Sequence, residues 1–558
     1  MNNRIDGRLF RKMFISGANN LQNNKEIIDE LNVFPVPDGD TGTNMSMTIS
    51  SAIKELNKVQ SDDITEIGKA LSKGSLMGAR GNSGVILSQI IRGIAKSVEG
   101  KKTLSIGDLA NAFKSGSDTA YKAVIKPIEG TILTVVRESS EFAVKDSKKN
   151  DNLLKFMNQF VVEANKSLEK TPELLKNLKD AGVVDSGGKG LVCVYEGMLS
   201  TLRGKDIELI EVNTNGESKT ETNIGANSIN SEDIKFGYCT EFILDSDTVK
   251  VETIRDIMLE YGDSLAVVGY DGVIKVHVHT NNPGSVLQEA LKYGQLLTTK
   301  IENMRVQHEN LILSEEEKTK DTEEVEQVSN PEEISKQQEK KKYGFITTAM
   351  GRGLSDIFDE LGVDIVIEGG QTMNPSTEDF MNAIEMINAD NIFILPNNSN
   401  VIMAANQAQE LSEKNVLVVP TKNIAQGIGS LINFNPDIEP KANLDNFITA
   451  LESIKSGEVT YAVRDTTMDG IEVKQGDIIA ITAKKLASSG KDISEVTERM
   501  IDKMIDEDSA IITLYYGEDV EEDNARAFAE KIQEKFDDVD VELYYGGQPL
   551  YYYLISVE

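Results

Sequence analysis

Apolar positions follow a helical spacing through the first third of the chain. Leu153, Met157, Phe160, Ala164 and Leu168 recur at intervals of three and four residues, so they would share one helix face. The segments ITEIGKALSKGSLM and LANAFKSGSDTAYKAV show similar spacing, and β-branched runs are scarce. Glycine-rich joints such as GDTG, GARGNSG and DSGGKG separate these stretches. The pattern predicts an all-α domain over residues 1–205, with functional loops at the helix ends.

The periodicity changes after a polar stretch at residues 206–231, which has the composition of a linker. Within residues 232–313, YCTEFIL predicts a strand, VETIRDIMLEYG a helix and SLAVVGYDGVIKVHVHT a hairpin. A second helix and a last strand follow. The order βαββαβ predicts a small α+β domain of the ferredoxin-like class.

Residues 314–342 are rich in charge and poor in large apolar groups, so they are expected to form an acidic, flexible linker. In residues 343–558, the short apolar runs YGFITT, VDIVIE, NIFILP and VLVVP alternate with amphipathic helical segments. This alternation is typical of a parallel α/β sheet. Its glycine-bearing segments, including GGQTMNPST, are either anion-binding loops or ordinary turns between strand and helix.

The amino-acid composition argues against several classes of function. The 558 residues carry 58 basic and 91 acidic side chains, a formal net charge of -33, which argues against nucleic acid or an anionic membrane surface as a partner. Two cysteines cannot form a disulfide framework. No run approaches the ~20 apolar residues of a membrane span, and the N-terminus lacks an apolar signal core. We therefore expect a cytoplasmic protein without an integral membrane segment.

Two carboxylates stand one glycine apart in the segment LNVFPVPDGDTGTNMSMT. Asp38 and Asp40 follow two prolines that stiffen the approach to the turn. Two such charges repel by about 4 kcal/mol at 4 Å and an effective dielectric of 20. A bound Mg²⁺ would remove that repulsion, and Mg²⁺ prefers hard oxygen ligands. The alternative is ordinary turn and helix-cap chemistry.

A second candidate element is the segment GARGNSG. It places Gly81, Asn82, Ser83 and Gly84 at the start of a predicted helix, where free N–H groups and the helix dipole favour phosphate. The alternative is that these residues only begin a helix and bind no ligand. The segment is neither a P-loop nor a GxGxxG fingerprint. Together with the aspartate turn, it indicates a nucleoside triphosphate bound with Mg²⁺.

These motifs carry a resemblance. PDGDTGTNM, GARGNSG, PIEGTILTVVRE and DAGVVDSGGKG, in this order, resemble the nucleotide-binding L-subunit domain of dihydroxyacetone kinases. Over its full length the chain is similar to the kinase subunits of bacterial two-component fatty acid kinases. The resemblance implies that the N-terminal domain is an all-helical barrel holding ATP at one end through Mg²⁺.

The resemblance also implies roles for individual residues. Asp38 and Asp40 become the catalytic Mg²⁺ ligands. The implied nucleotide-binding residues are Thr41, Thr43, Asn44, Gly81, Asn82, Ser83, Gly84, Thr131 and Asp185. For Thr131 and Asp185 the alternatives are a helix N-cap and a turn residue. The third aspartate of the dihydroxyacetone kinases is replaced here by Val33, and either Asn32 or Asp29 would supply the missing ligand.

The implied activity is ATP-dependent phosphorylation of a fatty acid, giving an acyl phosphate for phospholipid synthesis. A separate fatty-acid-binding protein of the DegV type would present the acid. The C-terminal domain itself resembles such carriers, which suggests a docking surface, a homodimer-like surface or a second lipid site. Two alternatives stay open: a kinase of a small hydroxylated metabolite of the dihydroxyacetone type, and a non-catalytic nucleotide-binding regulator.

A separate set of soft ligands lies in the middle domain. His277 and His279 alternate along one predicted strand and would point to the same face, and Cys239 lies on a neighbouring predicted strand with Glu241. One cysteine and two histidines suit Zn²⁺, with a fourth position for water or the glutamate. The alternative is a hydrogen-bonded histidine pair beside a buried thiol.

Overall fold

The computed structural model describes residues 3–32, 40–124, 126–209, 238–246, 249, 251–258, 261–270, 273–303, 340–370, 373–468, 470–483 and 485–558. The chain divides into two compact units, one formed by residues 1–209 with 338–558 and the other by residues 210–337. Both predicted linkers lie almost wholly outside the described residues.

The described part of residues 1–209 is helical, as the spacing of apolar residues predicts. Its helices are α1 (Gly7–Asn23), α2 (Lys25–Glu30), α3 (Thr41–Asn57), α4 (Ile64–Met77), α5 (Gly81–Ser97), α6 (Ile106–Ala123), α7 (Ile132–Asp146), α8 (Leu153–Glu169), α9 (Thr171–Leu174), α10 (Lys176–Ala181) and α11 (Ser186–Leu202). Packing passes from α3 through α4, α5, α6, α7 and α8 to α11, and α1 packs against both α11 and α3.

The core of this helical region fills the space between these helices. The five apolar residues whose spacing predicts α8 are all buried, which confirms the helix and its inward face. Phe113 and Phe160 stack with ring centroids 4.3 Å apart, and the ring centroid of Tyr195 lies 4.7 Å from that of Phe160. Burial of such large rings supplies much of the stabilisation of a helical core.

The second unit contains β1 (Tyr238–Asp245), α12 (Val251–Met258), β2 (Asp263–Tyr270), β3 (Val273–Thr280), α13 (Pro283–Ala290) and β4 (Gln295–Asn303). The strands form an antiparallel sheet in the order β2-β3-β1-β4. Phe242, Leu244, Val276 and Val278 alternate along β1 and β3 and are buried, so one sheet face forms this unit's core.

The C-terminal region begins with a parallel sheet, as its alternating strands and helices predict. Its strands are β5 (Lys341–Ala349), β6 (Ile365–Glu368), β7 (Ala389–Leu395) and β8 (Asn415–Val418), in the order β6-β5-β7-β8. The accompanying helices are α14 (Arg352–Glu360), α15 (Thr377–Met386), α16 (Ile402–Leu411), α17 (Ile424–Ile432) and α18 (Pro440–Ser453). The central strands β5 and β7 are buried over runs of consecutive residues, as expected for a parallel sheet covered on both faces.

A second, mostly antiparallel sheet follows. Its order is β13-β12-β9-β16-β14-β15, and only β14 and β15 are parallel. The strands are β9 (Lys455–Tyr461), β12 (Ile478–Thr482), β13 (Lys485–Gly490), β14 (Ile511–Tyr516), β15 (Asp540–Tyr545) and β16 (Tyr553–Val557). A separate two-stranded hairpin consists of β10 (Thr466–Met468) and β11 (Ile471–Val473). The helices of this part are α19 (Ile493–Met504) and α20 (Glu522–Lys535). The fold is therefore multidomain, with a helical N-terminal region and an α/β C-terminal region.

The helical and C-terminal regions pack together within the first unit. Gln89 on α5 donates to Gln407 on α16 across 2.7 Å in a buried pair. Arg464 donates to the backbone oxygens of Glu30 and Asn32 at the end of α2. These contacts lie far apart in sequence, and nothing in the local pattern predicts them. Across the described ranges, no helix has both the length and the apolar character needed to cross a bilayer.

Candidate functional site

The site begins where α3 begins, directly after the second aspartate of the DGD turn. Asp40 precedes the helix, but its side chain makes no capping hydrogen bond. Asp29 on α2 takes that role instead: its carboxylate accepts from Gly42 N at 2.6 Å, from Thr43 N at 3.2 Å and from Thr43 Oγ1 at 2.8 Å. Burial raises the pKa of Asp29, while the bonds from Thr43 and Gly42 oppose that rise. The Asp40 carboxylate is thus not used to cap α3.

The start of α5 lies against the first turns of α3. Gly81 has a left-handed φ of +58°, and a Cβ there would meet Asn44 Nδ2 at 2.6 Å. At Gly84 a Cβ would meet Thr48 Oγ1 at 2.4 Å. Both positions therefore require glycine for close approach. The side chain of Arg80, the residue before α5, makes no capping hydrogen bond. The N-terminus of α5 therefore presents the backbone N–H groups and the positive dipole end that attract an anion.

The start of α11 meets the start of α3. Asp185 caps α11 and accepts from Gly188 N at 2.7 Å. Ser186 Oγ donates to Thr41 Oγ1 at 3.2 Å, which joins the two helix starts directly. Burial raises the pKa of Asp185 to about 6, and the bonds from Gly188 and Ile132 oppose this.

The start of α7 completes the cluster. Thr131 is the N-cap of α7 and accepts from Leu133 N at 3.3 Å. A Cβ at Gly187, in the first turn of α11, would lie 3.3 Å from Ile132 Cβ. Four helix N-termini, those of α3, α5, α7 and α11, therefore converge. Their positive dipole ends make this end of the helical region attractive to an anion.

The residues predicted for nucleotide binding can now be placed. Each of Thr41, Thr43, Asn44, Gly81, Asn82, Ser83, Gly84, Thr131 and Asp185 lies at or within the first turn of one of these four helices. The Thr43 hydroxyl donates to Asp29, Asp185 caps α11, and Asn82 Nδ2 donates to Asn400 Oδ1 at 3.0 Å. Asp38 and Val33 lie outside the described residues.

One residue at this site escapes sequence reasoning. Asn374, between β6 and α15, donates its Nδ2 to Asp40 Oδ2. It belongs to the segment GGQTMNPST, which the sequence offers as an anion-binding loop, but nothing local indicates that its partner lies 334 residues away. Arg80 Nη1 donates to Asn374 O at 2.7 Å and pairs with Asp379 at 3.4 Å.

The donor set around Asp40 suits Mg²⁺. It offers a carboxylate and the hydroxyl of Thr41, and the amide that donates to Asp40 adds the Oδ1 of Asn374, which is buried and has no hydrogen-bond partner among the described residues. These are hard oxygen ligands of the kind that Mg²⁺ selects. Within the described residues, no three His, Cys, Asp or Glu side chains group as metal ligands, but Asp38 is not among those residues.

The predicted zinc set is described only by its backbone. Cys239 pairs in register with His279, and Glu241 with His277, on the adjacent strands β1 and β3. The side chains of these four residues lie outside the described part of the structure. The prediction of zinc gains no support from the residues that are described.

A cavity of about 720 Å³ lies in the C-terminal region between its two sheets. Its lining mixes amides, hydroxyls and three lysines with apolar side chains, and Asn32 of the helical region contributes to it. Asn400, the partner of Asn82, is also part of the lining. The cavity therefore extends to the edge of the cluster of helix starts.

Comparison with known proteins covers all three regions. Residues 35–200 match a DAK2 domain, residues 235–311 the middle domain of FakA-like fatty acid kinase proteins, and residues 344–558 their C-terminal domain. Protein YloV of Bacillus subtilis is 45% identical over 561 residues, covering 99% of both chains. The chain belongs to the FakA-like fatty acid kinase family. An uncharacterized protein of Staphylococcus haemolyticus is a further relative of the same length, 45% identical over 563 residues and covering 100% of both chains.

Solved structures show weaker likeness. A dihydroxyacetone kinase from C. freundii in complex with AMP-PNP and Mg²⁺ is 16% identical, with a TM-score of 0.28 over 35% of this chain and 34% of its own. The Streptococcus pneumoniae fatty acid kinase B3 protein, loaded with linoleic acid, is 12% identical with a TM-score of 0.28, over 39% of this chain and 99% of its own. Structural similarity at these TM-scores supports no conclusion beyond membership of the family.

Proposed function

We propose that this protein transfers the terminal phosphoryl group of ATP to the carboxylate of a fatty acid, and that the product is an acyl phosphate for phospholipid synthesis. Membership of the FakA-like fatty acid kinase family over the full length supports a kinase role. The observation that carries the proposal is the convergence of four helix starts beside Asp40, inside the region that matches the DAK2 domain.

The proposed roles follow from this arrangement. Asp38 and Asp40 would hold Mg²⁺, which when bound neutralises charge on the β- and γ-phosphates. The N–H groups of Gly81, Asn82, Ser83 and Gly84 would receive phosphate oxygens. Asp185 and Thr131 fix the starts of α11 and α7, which line the nucleotide site. Because Thr43 bonds to Asp29, its contribution is to hold the first turn of α3 in place.

The proposed reaction needs no general base from the chain. A fatty acid carboxylate is ionised at pH 7, so its oxygen can form the new P–O bond directly. The bond between the γ-phosphorus and the bridging oxygen breaks, and ADP leaves with the electron pair. The protein contributes positioning and charge neutralisation, which supply most of the acceleration in phosphoryl transfer. The packed helices give these groups rigid support.

We further propose that a separate fatty-acid-binding protein presents the acid, that the C-terminal region takes part in docking it, and that both act in the cytoplasm. A long acyl chain is sparingly soluble, which favours delivery by a carrier. Because the C-terminal region reaches Asp40 through Asn374, a carrier docked on that region would lie close to the nucleotide site. Whether two copies of this chain associate stays a prediction.

The decisive experiment follows labelled phosphate. The full-length protein is incubated with γ-labelled ATP, Mg²⁺, a long-chain fatty acid and a purified carrier, and acyl phosphate is trapped as the hydroxamate. Label in a hydroxylamine-sensitive product that requires the carrier is the expected result. Transfer to glycerone without a carrier would contradict the proposal in favour of a small-metabolite kinase, and ATP binding without transfer to any acceptor would indicate a regulator.

A further inference from the structure

Asn374 joins the C-terminal region to the start of α3. It lies between β6 and α15, only 2% of it is exposed, and its Nδ2 donates to Asp40 Oδ2. The residue therefore reaches the carboxylate to which the proposed function assigns a metal. A contact of this kind places part of the nucleotide site on a region of the chain that the DAK2 domain does not include.

Contacts at its own carbonyl and just C-terminal to it fix this residue in place. Arg80 and Ser376 form an antiparallel bridge, and Thr377 N donates to Ala79 O at 3.2 Å. Arg80 also holds the Asn374 carbonyl oxygen at 2.7 Å. The segment that carries Asn374 is thereby attached to the residues just before α5, the helix whose start is the proposed phosphate site.

The amide of Asn374 is only half used. Its Oδ1 is buried and has no hydrogen-bond partner among the residues that the structure describes. A buried acceptor without a partner costs free energy, and in a native protein it usually marks a position for a water or an ion. Gly81 lies beside this amide: a Cβ at that position would stand 3.4 Å from Asn374 Nδ2.

Other contacts between the two regions differ in this respect. Gln89 donates to Gln407 at 2.7 Å, and neither of these buried amides has an unpartnered oxygen or nitrogen. That pair explains docking and nothing more. Asn374 instead combines a bond to a proposed metal ligand with an unused acceptor at the same place.

We propose that Asn374 is a positioning residue for the nucleotide site: its amide N–H orients the Asp40 carboxylate towards a divalent cation, and its Oδ1 accepts from the cation's hydration shell. The inference rests on the proposed function, since it requires a nucleotide bound with a divalent cation beside Asp40. Carboxylates that ligate metals are generally held by such hydrogen bonds, and loss of one typically weakens metal affinity by roughly 10–100-fold. The site is then complete only when the C-terminal region is docked.

The test measures ADP binding by the full-length protein, once with Mg²⁺ and once with EDTA. Asn374→Ala should weaken binding about tenfold with Mg²⁺, because Asp40 loses its orienting bond. The same variant should bind ADP within about twofold of wild type in EDTA, where Asp40 has no cation to hold. Gln407→Ala is the matched control: it breaks a buried amide pair between the same two regions and should keep both affinities.

The remaining outcomes overturn the inference. Equal weakening of Asn374→Ala in both conditions, or an equal loss in Gln407→Ala, would show that Asn374 acts only through docking or folding. Unchanged or tighter Mg²⁺-ADP binding would show that the contact with Asp40 is dispensable or must be released. If wild type binds no Mg²⁺-ADP at all, the proposed function fails first, and the inference fails with it.

Discussion

At the scale of single residues, the site depends on carboxylates that serve different purposes. Asp29 caps α3, Asp185 caps α11, and Asp40 accepts a hydrogen bond from Asn374 of the C-terminal region. The sequence alone shows three acidic residues near glycine-rich turns and cannot rank them. Hydrogen-bond partners show that Asp29 and Asp185 stabilise helix starts, whereas Asp40 has its partner in the C-terminal region.

Replacing Asp40 by Ala tests its proposed metal role. Its side chain makes no capping bond to α3, but it accepts from the buried amide of Asn374, so we expect the fold to be retained with a loss of roughly 1–3 kcal/mol in stability. Loss of a charge-neutralising cation is worth several kcal/mol in the transition state, so ATP turnover should fall by at least about 100-fold. Turnover assays with thermal unfolding of the same preparation provide the measurement; retained activity would reject the assignment of Asp40 as a metal ligand.

The raised pKa of Asp185 predicts that the stability of the protein depends on pH. Its folded pKa of about 6 lies above the ordinary value of 3.8, so its stabilising contribution is full below pH 4 and is lost as pH rises through 6. Asn keeps a capping oxygen without the charge. Asp185→Asn should therefore gain stability relative to wild type between pH 4 and 6, reaching roughly 3 kcal/mol above pH 6.

Thermal midpoints from pH 4 to 8 would measure this difference. Asp63, the N-cap of α4, is the matched control, since hydrogen bonds from Glu66 and Thr65 lower the pKa of its carboxyl. Its stabilising contribution is present above the unfolded pKa of 3.8 and is lost only as pH falls below it, so the difference between Asp63→Asn and wild type should stay nearly constant from pH 4 to 8. A difference between Asp185→Asn and wild type that does not change with pH would contradict the buried, desolvated carboxylate.

At the scale of elements, periodicity predicts the helices and strands well. The apolar residues of α8 and the four parallel strands β5 to β8 lie where the pattern places them. Each of these elements has a buried face, and burial requires a regular spacing that can be read locally. The closure of the helices into a barrel and the ferredoxin-like class of the middle unit stay predictions.

The start of α5 provides a test at this scale. Gly81→Ala would both strain a left-handed φ and bring a Cβ to 2.6 Å from Asn44, so it should destabilise the protein by more than about 1 kcal/mol and weaken nucleotide binding. Gly100 has a φ of +76°, and no atom lies within 4 Å of the place where its Cβ would stand. Gly100→Ala therefore carries the backbone strain alone.

Chemical unfolding and ADP titration of both variants would separate the two effects. We expect Gly100→Ala to keep the affinity of wild type for ADP, because it lies outside the four helix starts. Equal losses in both variants would show that backbone strain, and not close packing against Asn44, explains the glycine at position 81.

At the scale of the whole molecule, the helical and C-terminal regions meet at one site. Arg80 lies before α5, and its guanidinium bonds to Asn374 O and pairs with Asp379 of the C-terminal region. Its side chain is 19% exposed but that of Asp379 is 40% exposed, so the bond to Asn374 O contributes more to the attachment than the ion pair does. The attachment therefore couples the nucleotide end of the helices to the start of α15.

Arg80→Ala should loosen this attachment. Charged hydrogen bonds contribute roughly 1.5–3 kcal/mol, so hydrogen exchange in residues 374–380 should quicken by about tenfold or more. Mass spectrometry of exchanged peptides gives the measurement. Arg526, whose pair with Glu522 is exposed, is the control, and Arg526→Ala should leave these peptides unchanged. Unchanged exchange in Arg80→Ala would mean that other contacts hold the segment.

The sequence by itself determined the elements, the order of the regions and the family. Periodicity, turn residues and the order of the motifs are all properties of short stretches of the chain or of their order along it. It also indicated GGQTMNPST as a segment of interest. Only the tertiary structure decided that Asn374 meets Asp40, that Asp29 caps α3, and that four helix starts share one place. Such pairings depend on how packed helices and sheets bring distant backbone together, and no local spacing encodes that geometry.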